Sequence, residues 1–388
     1  MAGRVYLDWN ATTPLRPEAR AAMAAALDLV GNPSSVHAEG RAARQVVEQA
    51  RAEVGRAVGA DARNVVFTSG GTEANSLALT PRLRRNSGVP ITRLVMSAIE
   101  HASVLTGGRF ARERIEVVGV DNSGVVDLDR LRNVLADGPP ALVSIMSANN
   151  ETGALQPIAE IADIVHVAGG LLHVDAIQYI GKIAFNINIM KADLVSISAH
   201  KSGGPKGIGA LVVSEGLDGV EALIGGGGQE QGRRAGTENV AGIAGFGAAI
   251  KAAMASMQEE TARVEKLRDR LEISLRQTRG LIVFSTEAPR LPNTVLFTVP
   301  GLKAETAVIG FDLEGISVSS GSACSSGKVQ PSHVLEAMGV GSSLAKGAVR
   351  LSLGWSTTEA DIDRCVEAWR KLSGALLKGY DETELERF

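Results

Sequence analysis

Over its first half the chain alternates short, continuously apolar runs with stretches of helical spacing. The runs predict strands at Asn64–Thr68, Arg93–Ser97, Ile115–Val120, Leu142–Ser147, Gly170–Asp175, Asp193–Ser198 and Gly209–Ser214. Several are nearly pure Val/Ile/Leu, as expected of strands buried on both faces of a mostly parallel sheet. One helix is predicted from Pro17, with proline in its first turn. A longer one carries apolar residues at Ala42, Val46, Val47, Ala50, Val54 and Val58. Strand–helix repetition of this kind predicts an α/β fold with helices over both faces of the sheet.

The glycines Gly225–Gly228 interrupt the rhythm, and a long helical pattern then runs from about Asn239 to Gln277. The remainder reads as α+β, with strands near Leu281–Ser285, Asn293–Thr298 and Val349–Leu353 and a last helix over Thr358–Leu377. The expected organisation is a large α/β domain over 15–255 and a small α+β domain formed by 1–14 with 256–388.

A length of 388 residues is too great for one ordinary core, in keeping with two domains. A net charge of -3 argues against nucleic acid or an anionic membrane as the main partner. No secretory signal is read at MAGRVYLDWN, and no apolar run is read as long enough to span a bilayer. With two cysteines, Cys324 and Cys365, the chain is no disulfide scaffold, and a cytoplasmic location is expected. Zinc-type Cys/His spacing is absent, so no resident metal is expected.

Several strand ends carry chemistry. Ser196–Ser198 runs into Ala199-His200-Lys201 and a glycine-rich stretch. A lysine at the carboxyl end of a buried strand reaches the ligand crevice of an open sheet, and partial burial makes it a competent Schiff-base amine. Asp175 ends the run Leu171–Asp175; it suits a pyridinium partner or, equally, a helix cap. Phe67-Thr68-Ser69-Gly70-Gly71-Thr72 passes from strand through glycines into a helix, the setting of a phosphate site or of an ordinary turn. His101 follows another strand and suits ring stacking, proton transfer or capping. Cys324 lies among serines and glycines, where a thiol is readily reactive, whereas Cys365 shares a helical pattern with Ile362, Val366 and Trp369 and reads as core. Arg350, in an otherwise mostly apolar strand, needs a partner: a substrate carboxylate or an internal ion pair.

Taken in order, these segments resemble the cysteine desulfurases, in the class V aminotransferase family of fold-type I pyridoxal-phosphate (PLP) enzymes. The resemblance spans nearly the whole chain. It includes Tyr6-Leu7-Asp8 with Asn10–Pro14, Gly31–Ser35, Thr68–Glu73, Asn149–Gly153, His173–Gln178, Ser198–Gly209, Arg233–Asn239 and Gly321–Ser325. It implies that Lys201 forms a Schiff base with the cofactor and moves protons at the substrate α-carbon. It further implies that Asp175 pairs with the ring nitrogen, that His101 stacks on the ring, and that Gln178 and Asn150 lie near the ring oxygen, with Asn150 also close to substrate. Gly71, Thr72, Ser198 and His200 are expected to hold the phosphate, with Thr237 completing the site from the second subunit of a homodimer. Arg350 is expected to take the carboxylate of L-cysteine.

Cys324 is then the nucleophile that collects sulfur as a persulfide, leaving alanine, and passes it to an iron–sulfur scaffold or another sulfur acceptor. The resemblance leaves room for a transient iron–sulfur contact at Cys324. The spacing from Cys324 to Pro331–Leu335 resembles the family's long-loop branch. Gln231 and Lys328 depart from its usual pattern at positions outside the expected catalytic set. Two rival readings remain: another PLP reaction such as transamination, which would not need Cys324, and a non-catalytic scaffold-binding protein, against which Lys201 argues.

Overall fold

The computed structural model describes residues 3–86, 88–321 and 332–377. Seven strands form the central sheet in the order Val65–Thr68, Gly209–Val213, Leu194–Ser198, Leu171–Asp175, Ala141–Met146, Arg93–Ser97 and Ile115–Val118. The last five pair in parallel, and Gly209–Val213 runs antiparallel to both of its neighbours. All but Ile115–Val118 are buried along their whole length, because helices cover both faces. The outer strand instead presents Glu116 to solvent, a charge that discourages pairing at a sheet edge.

The parallel strands end together at Ser97, Met146, Asp175 and Ser198, with Met146 opposite Asp175 and Asp175 opposite Ser196. The segments after these ends converge at one edge, where open α/β sheets bind ligands. Beyond Asp175 the chain runs in turns, with no covering helix before Leu194, and this leaves that edge open.

A second sheet takes the order Ile282–Val283, Thr294–Thr298, Val349–Ser352, Ser319–Ser320, all antiparallel. The helices Ala304–Leu313 and Glu359–Leu376 pack on it around Trp369, whose ring lies 5.0 Å from Phe297 and 6.1 Å from Phe311. Val5 and Leu7 belong to the same core, and Val5–Tyr6 pairs in parallel with Ile316–Ser317.

The helix Val240–Leu275 joins the two cores. Ile243, Phe246 and Ile250 enter the first and Val264, Leu267 and Leu271 the second. By length and composition this helix is apolar enough to cross a membrane, which corrects the sequence reading that no such run exists. Half of that stretch is buried inside the protein. Its apolar character comes largely from Gly and Ala, which bring helix backbones close together. A Cβ on Gly247 would lie 2.6 Å from Ala50 Cα in the helix Ala38–Val58. Ala50 Cα is backbone and cannot swing aside. Gly247→Ala is therefore predicted to cost about 1–3 kcal/mol in steric strain, outweighing the roughly 1 kcal/mol gain in helix propensity. The check is the urea midpoint; an unchanged or higher midpoint would refute the close-approach argument.

Candidate active site

At the carboxyl edge of the large sheet lies a cavity of about 270 Å³, near the lower end of small-molecule sites at roughly 300 Å³. Gly71, Thr72, His101, Asn150, Asp175, Gln178, Ser198, His200, Lys201 and Arg350 all line it. Thr237 does not; it faces a separate crevice with Ser69, Gly207 and Arg234. Cys324 and Lys328 lie outside the described residues. Cys365 is fully buried in the second core, and burial pushes its thiol up to about 12, so it is inert.

Lys201 follows the strand Leu194–Ser198 through a single tight turn, Ala199–Lys201. Its Nζ donates to the carbonyls of Asn10 at 2.5 Å and Ala11 at 2.8 Å. The glycine-rich stretch after it has a steric purpose: Gly203 has φ +91°, and a Cβ there would strike the Arg16 side chain.

Asp175 ends its strand with the carboxylate buried. Its Oδ1 accepts from Ile177 N at 3.0 Å and its Oδ2 from Asn75 Nδ2 at 2.8 Å. Burial raises its pKa, and these donors together with His101 and Lys201 oppose the rise. A buried carboxylate of this kind is best satisfied by a cation placed in the cavity. His101 caps the short helix Ala102–Leu105, its Nδ1 accepting from Ser103 N at 3.1 Å, and it also forms cavity wall. Burial lowers its pKa, more than the Asp175 carboxylate restores it.

The helix Gly71–Ala78 starts at the cavity wall, so its first backbone N–H groups are available to an anion. A side chain at Gly71 would meet Ile177 Cδ1 at 2.2 Å. Ser198 Oγ, on the same wall, is buried with no partner among the described residues. His200 is pushed down to about 4 by burial and by Lys201, Lys206 and Lys182, so it is neutral there. An orphaned hydroxyl, a helix start, a buried carboxylate and an amine on one cavity fit the phosphate, ring nitrogen and aldehyde carbon of PLP.

Arg350 combines both sequence-level alternatives. It lines the cavity and is ion-paired: Nη2 donates to Asp8 Oδ1 at 2.7 Å and Nη1 to Asn150 O at 3.0 Å, while Nε has no partner among the described residues. The sequence reading assigned no role to Asn10, Ala11, Ser103, Met146 or Ile177, all on the cavity wall. It likewise passed over Asn75, Glu100 and Asp8. Asp8, Asn10, Ala11 and Ile177 sit in segments singled out by resemblance, whereas Asn75, Glu100, Ser103 and Met146 do not. Gln231, a departure from the family pattern, has φ +58° and donates from Nε2 to Arg63 O at 2.9 Å, away from the cavity.

The aminotransferase class-V family pattern matches residues 5–365. The chain is 40% identical over 384 residues to the cysteine desulfurase IscS of Dictyoglomus turgidum, covering 96% of this chain and 95% of that one. It is 43% identical over 372 residues to a cysteine desulfurase of Cereibacter sphaeroides, covering 94% of each. Among solved structures it is similar to a NifS-like protein from Rickettsia africae, with a TM-score of 0.87 at 38% identity, covering 96% of this chain and 99% of that one.

Glu100, next to His101, has no exposure and accepts at Oε1 from Ser97 Oγ at 2.6 Å and Met146 N at 2.7 Å. Burial, reinforced by Asp175, pushes it up to about 8 from an ordinary 4.5. Between these values the folded state keeps a proton that the unfolded chain has released, so this residue's contribution to stability falls as pH rises. Glu100→Gln retains the acceptor without the titration. It is predicted to match the wild type in urea near pH 5 and to exceed it at pH 8. Equal stability at both pH values would show that Glu100 is not held protonated.

Proposed function

The chain belongs to the class-V aminotransferase family and, within it, to the cysteine desulfurases; on that premise we propose that it converts L-cysteine to L-alanine by moving sulfur onto Cys324, with PLP held on Lys201. The observation that carries this reading is the meeting of Lys201, Asp175, His101 and the orphaned Ser198 hydroxyl on one cavity.

Bound PLP supplies an electron sink for charge that develops at the substrate α-carbon. The protein's residues supply the rest. Asp175 would keep the ring nitrogen protonated, and His101, its pKa lowered by burial, would cover the ring. Gly71, Thr72, Ser198 and His200 would hold the phosphate. Gln178 and Asn150 would serve the ring oxygen. Thr237, which is off the cavity of its own chain, completes the phosphate site of a second copy in a homodimer. Lys201 Nζ takes and returns the proton at the α-carbon.

Arg350 binds the carboxylate of cysteine. Its Asp8 and Asn150 partners fix the guanidinium plane, and the Nε donor is left for the substrate. Cys324 acts as thiolate: its sulfur bonds to the substrate sulfur, the carbon–sulfur bond of cysteine breaks with its electron pair left on the β-carbon, and that carbon takes up the proton the Cys324 thiol released to become the methyl group of alanine. The persulfide then passes to an acceptor protein, with an iron–sulfur scaffold as the acceptor that fits this family. Residues 15–255 serve as the cofactor-holding domain, and 1–14 with 256–388 as the domain that brings Arg350 and Cys324 to it. A reducing cytoplasm suits a protein whose working group is a thiolate.

Purified, PLP-loaded protein is expected to release alanine from L-cysteine in the presence of a thiol reductant, and Cys324→Ala is expected to release none while keeping its yellow colour. Alanine from Cys324→Ala would move the reading to a different PLP reaction. Lys201→Ala is expected to lose the yellow band formed with the protein amine. Arg350→Lys keeps the charge but loses the planar fork, and KM for cysteine is expected to rise at least about tenfold, the loss of one charge-assisted hydrogen bond. An unchanged KM would place the carboxylate elsewhere.

A further inference from the structure

Lys201 also borders a second, smaller cavity of about 50 Å³, and Lys182 stands on the wall of that cavity. Lys182 follows Gln178 by four residues through a turn in which Gly181 has φ +81° and Ile180 N and Ile183 N donate to Ala176 O and Tyr179 O. Its own carbonyl is pinned by Thr261 Oγ1 at 2.6 Å. From there the side chain folds back, and Nζ donates to the Gln178 backbone carbonyl at 2.9 Å and to Gln178 Oε1 at 2.7 Å.

The other end of the same amide is also committed. Gln178 Nε2 donates to Asn10 O at 2.8 Å, and that carbonyl can only accept. Asn10 O is shared with Lys201, and among the described residues Lys182 is the side chain that donates to Oε1. With Oε1 turned to Lys182 and one amide hydrogen on Asn10, the second N–H of Gln178 is left for the large cavity, whose wall Gln178 forms. A reversed amide would set its oxygen against the Asn10 carbonyl. It would also place its NH₂ group where Lys182 now donates, at the cost of buried polar groups left unmade.

We propose that Lys182 is a positioning residue that locks the side-chain amide of Gln178 so that it presents a hydrogen-bond donor, never an acceptor, to the ligand in the large cavity. The ligand chemistry this selects at Gln178 is an anionic oxygen. Burial beside Lys201 and Arg350 pushes Lys182 well below the ordinary lysine range. As amine or ammonium, however, it has hydrogens for both acceptors, so it acts through hydrogen bonds rather than through a fixed charge.

The inference rests on the proposed function for its readout, since the anionic oxygen is then the ring oxygen of PLP. A donor there stabilises the oxygen's negative charge and makes the neighbouring nitrogen less basic. The experiment is a double-mutant cycle on PLP-loaded protein: wild type, Lys182→Met, Gln178→Ala and the double variant, each titrated with pH by visible absorbance. Lys182→Met is expected to raise the pH midpoint by roughly half a unit to one unit, the worth of about one hydrogen bond. In the Gln178→Ala background the same change is expected to shift nothing further. Lys182→Arg, which keeps donors in place, is expected to stay close to wild type.

Equal Lys182→Met shifts with and without Gln178 would show that Lys182 acts directly by its charge, and would overturn the proposal. A lowered urea midpoint with no absorbance shift would reduce Lys182 to a structural role and overturn it as well. A wild-type protein that gains no visible band with PLP would instead refute the proposed function, and so is distinguishable from failure of the Lys182 inference.

Discussion

The structure turns on Asn10. Its backbone N–H donates to Ser352 Oγ at 2.9 Å, and its side-chain nitrogen donates to Thr294 Oγ1 at 2.9 Å and Asn150 O at 3.2 Å. Its side-chain oxygen accepts from Asn293, and its carbonyl accepts from Gln178 and Lys201. One buried residue thus ties the second sheet, the loop after Met146, the turn after Asp175 and Lys201 to one point. A network that leaves no member unpaired is rigid, and one that loses a member strands buried polar groups at a cost of about 1–3 kcal/mol each. The N-terminal segment is therefore the joint across which the two cores address one cavity.

Desolvation sets the electrostatics around that joint. Burial alone drives His173 to about 3, and with neighbouring lysines it drives His200 to about 4, so both rings are neutral. The same burial raises Glu100 to about 8 and Glu151 to about 7. Glu151 accepts from Ser332 Oγ at 2.5 Å and feels the Arg350 charge. Arg350 is held in place by Asp8 and Asn150. An interior arranged this way is poised for a ligand that brings its own phosphate and its own protonated ring.

The cavity depends equally on the sheet. The parallel strands pair in a register that brings Ser97, Met146, Asp175 and Ser198 to one edge. The turns that follow Asp175 leave that edge open where a covering helix would have closed it. The helix Val240–Leu275 then carries the chain from one core to the other and sets where the second sheet delivers Arg350.

Patterning alone determined the seven strands of the large sheet to within a residue or two, because continuous Val/Ile/Leu runs bounded by glycine or polar residues have few other uses. It determined Lys201 and Asp175 as chemical candidates, since each is a charged residue at the end of an apolar strand. Local pattern also offered His101 and the Gly71-Thr72 turn, and ordered resemblance added Gln178, Asn150, Ser198, His200 and Thr237 as expected ligands. What the sequence could not determine was pairing across long separations. Nothing near Arg350 announces Asp8, 342 residues away along the chain, and nothing near Gln178 announces Asn10. Glu100 reads as an ordinary polar residue after a strand until folding removes it from water. Composition made the long Gly/Ala helix look unremarkable as a possible membrane span, and packing against Ala50 explains its small residues. The division has one physical cause: local propensity and burial pattern act through neighbours in the chain, whereas ion pairs, desolvation and shared hydrogen bonds exist only once distant segments have been brought into contact.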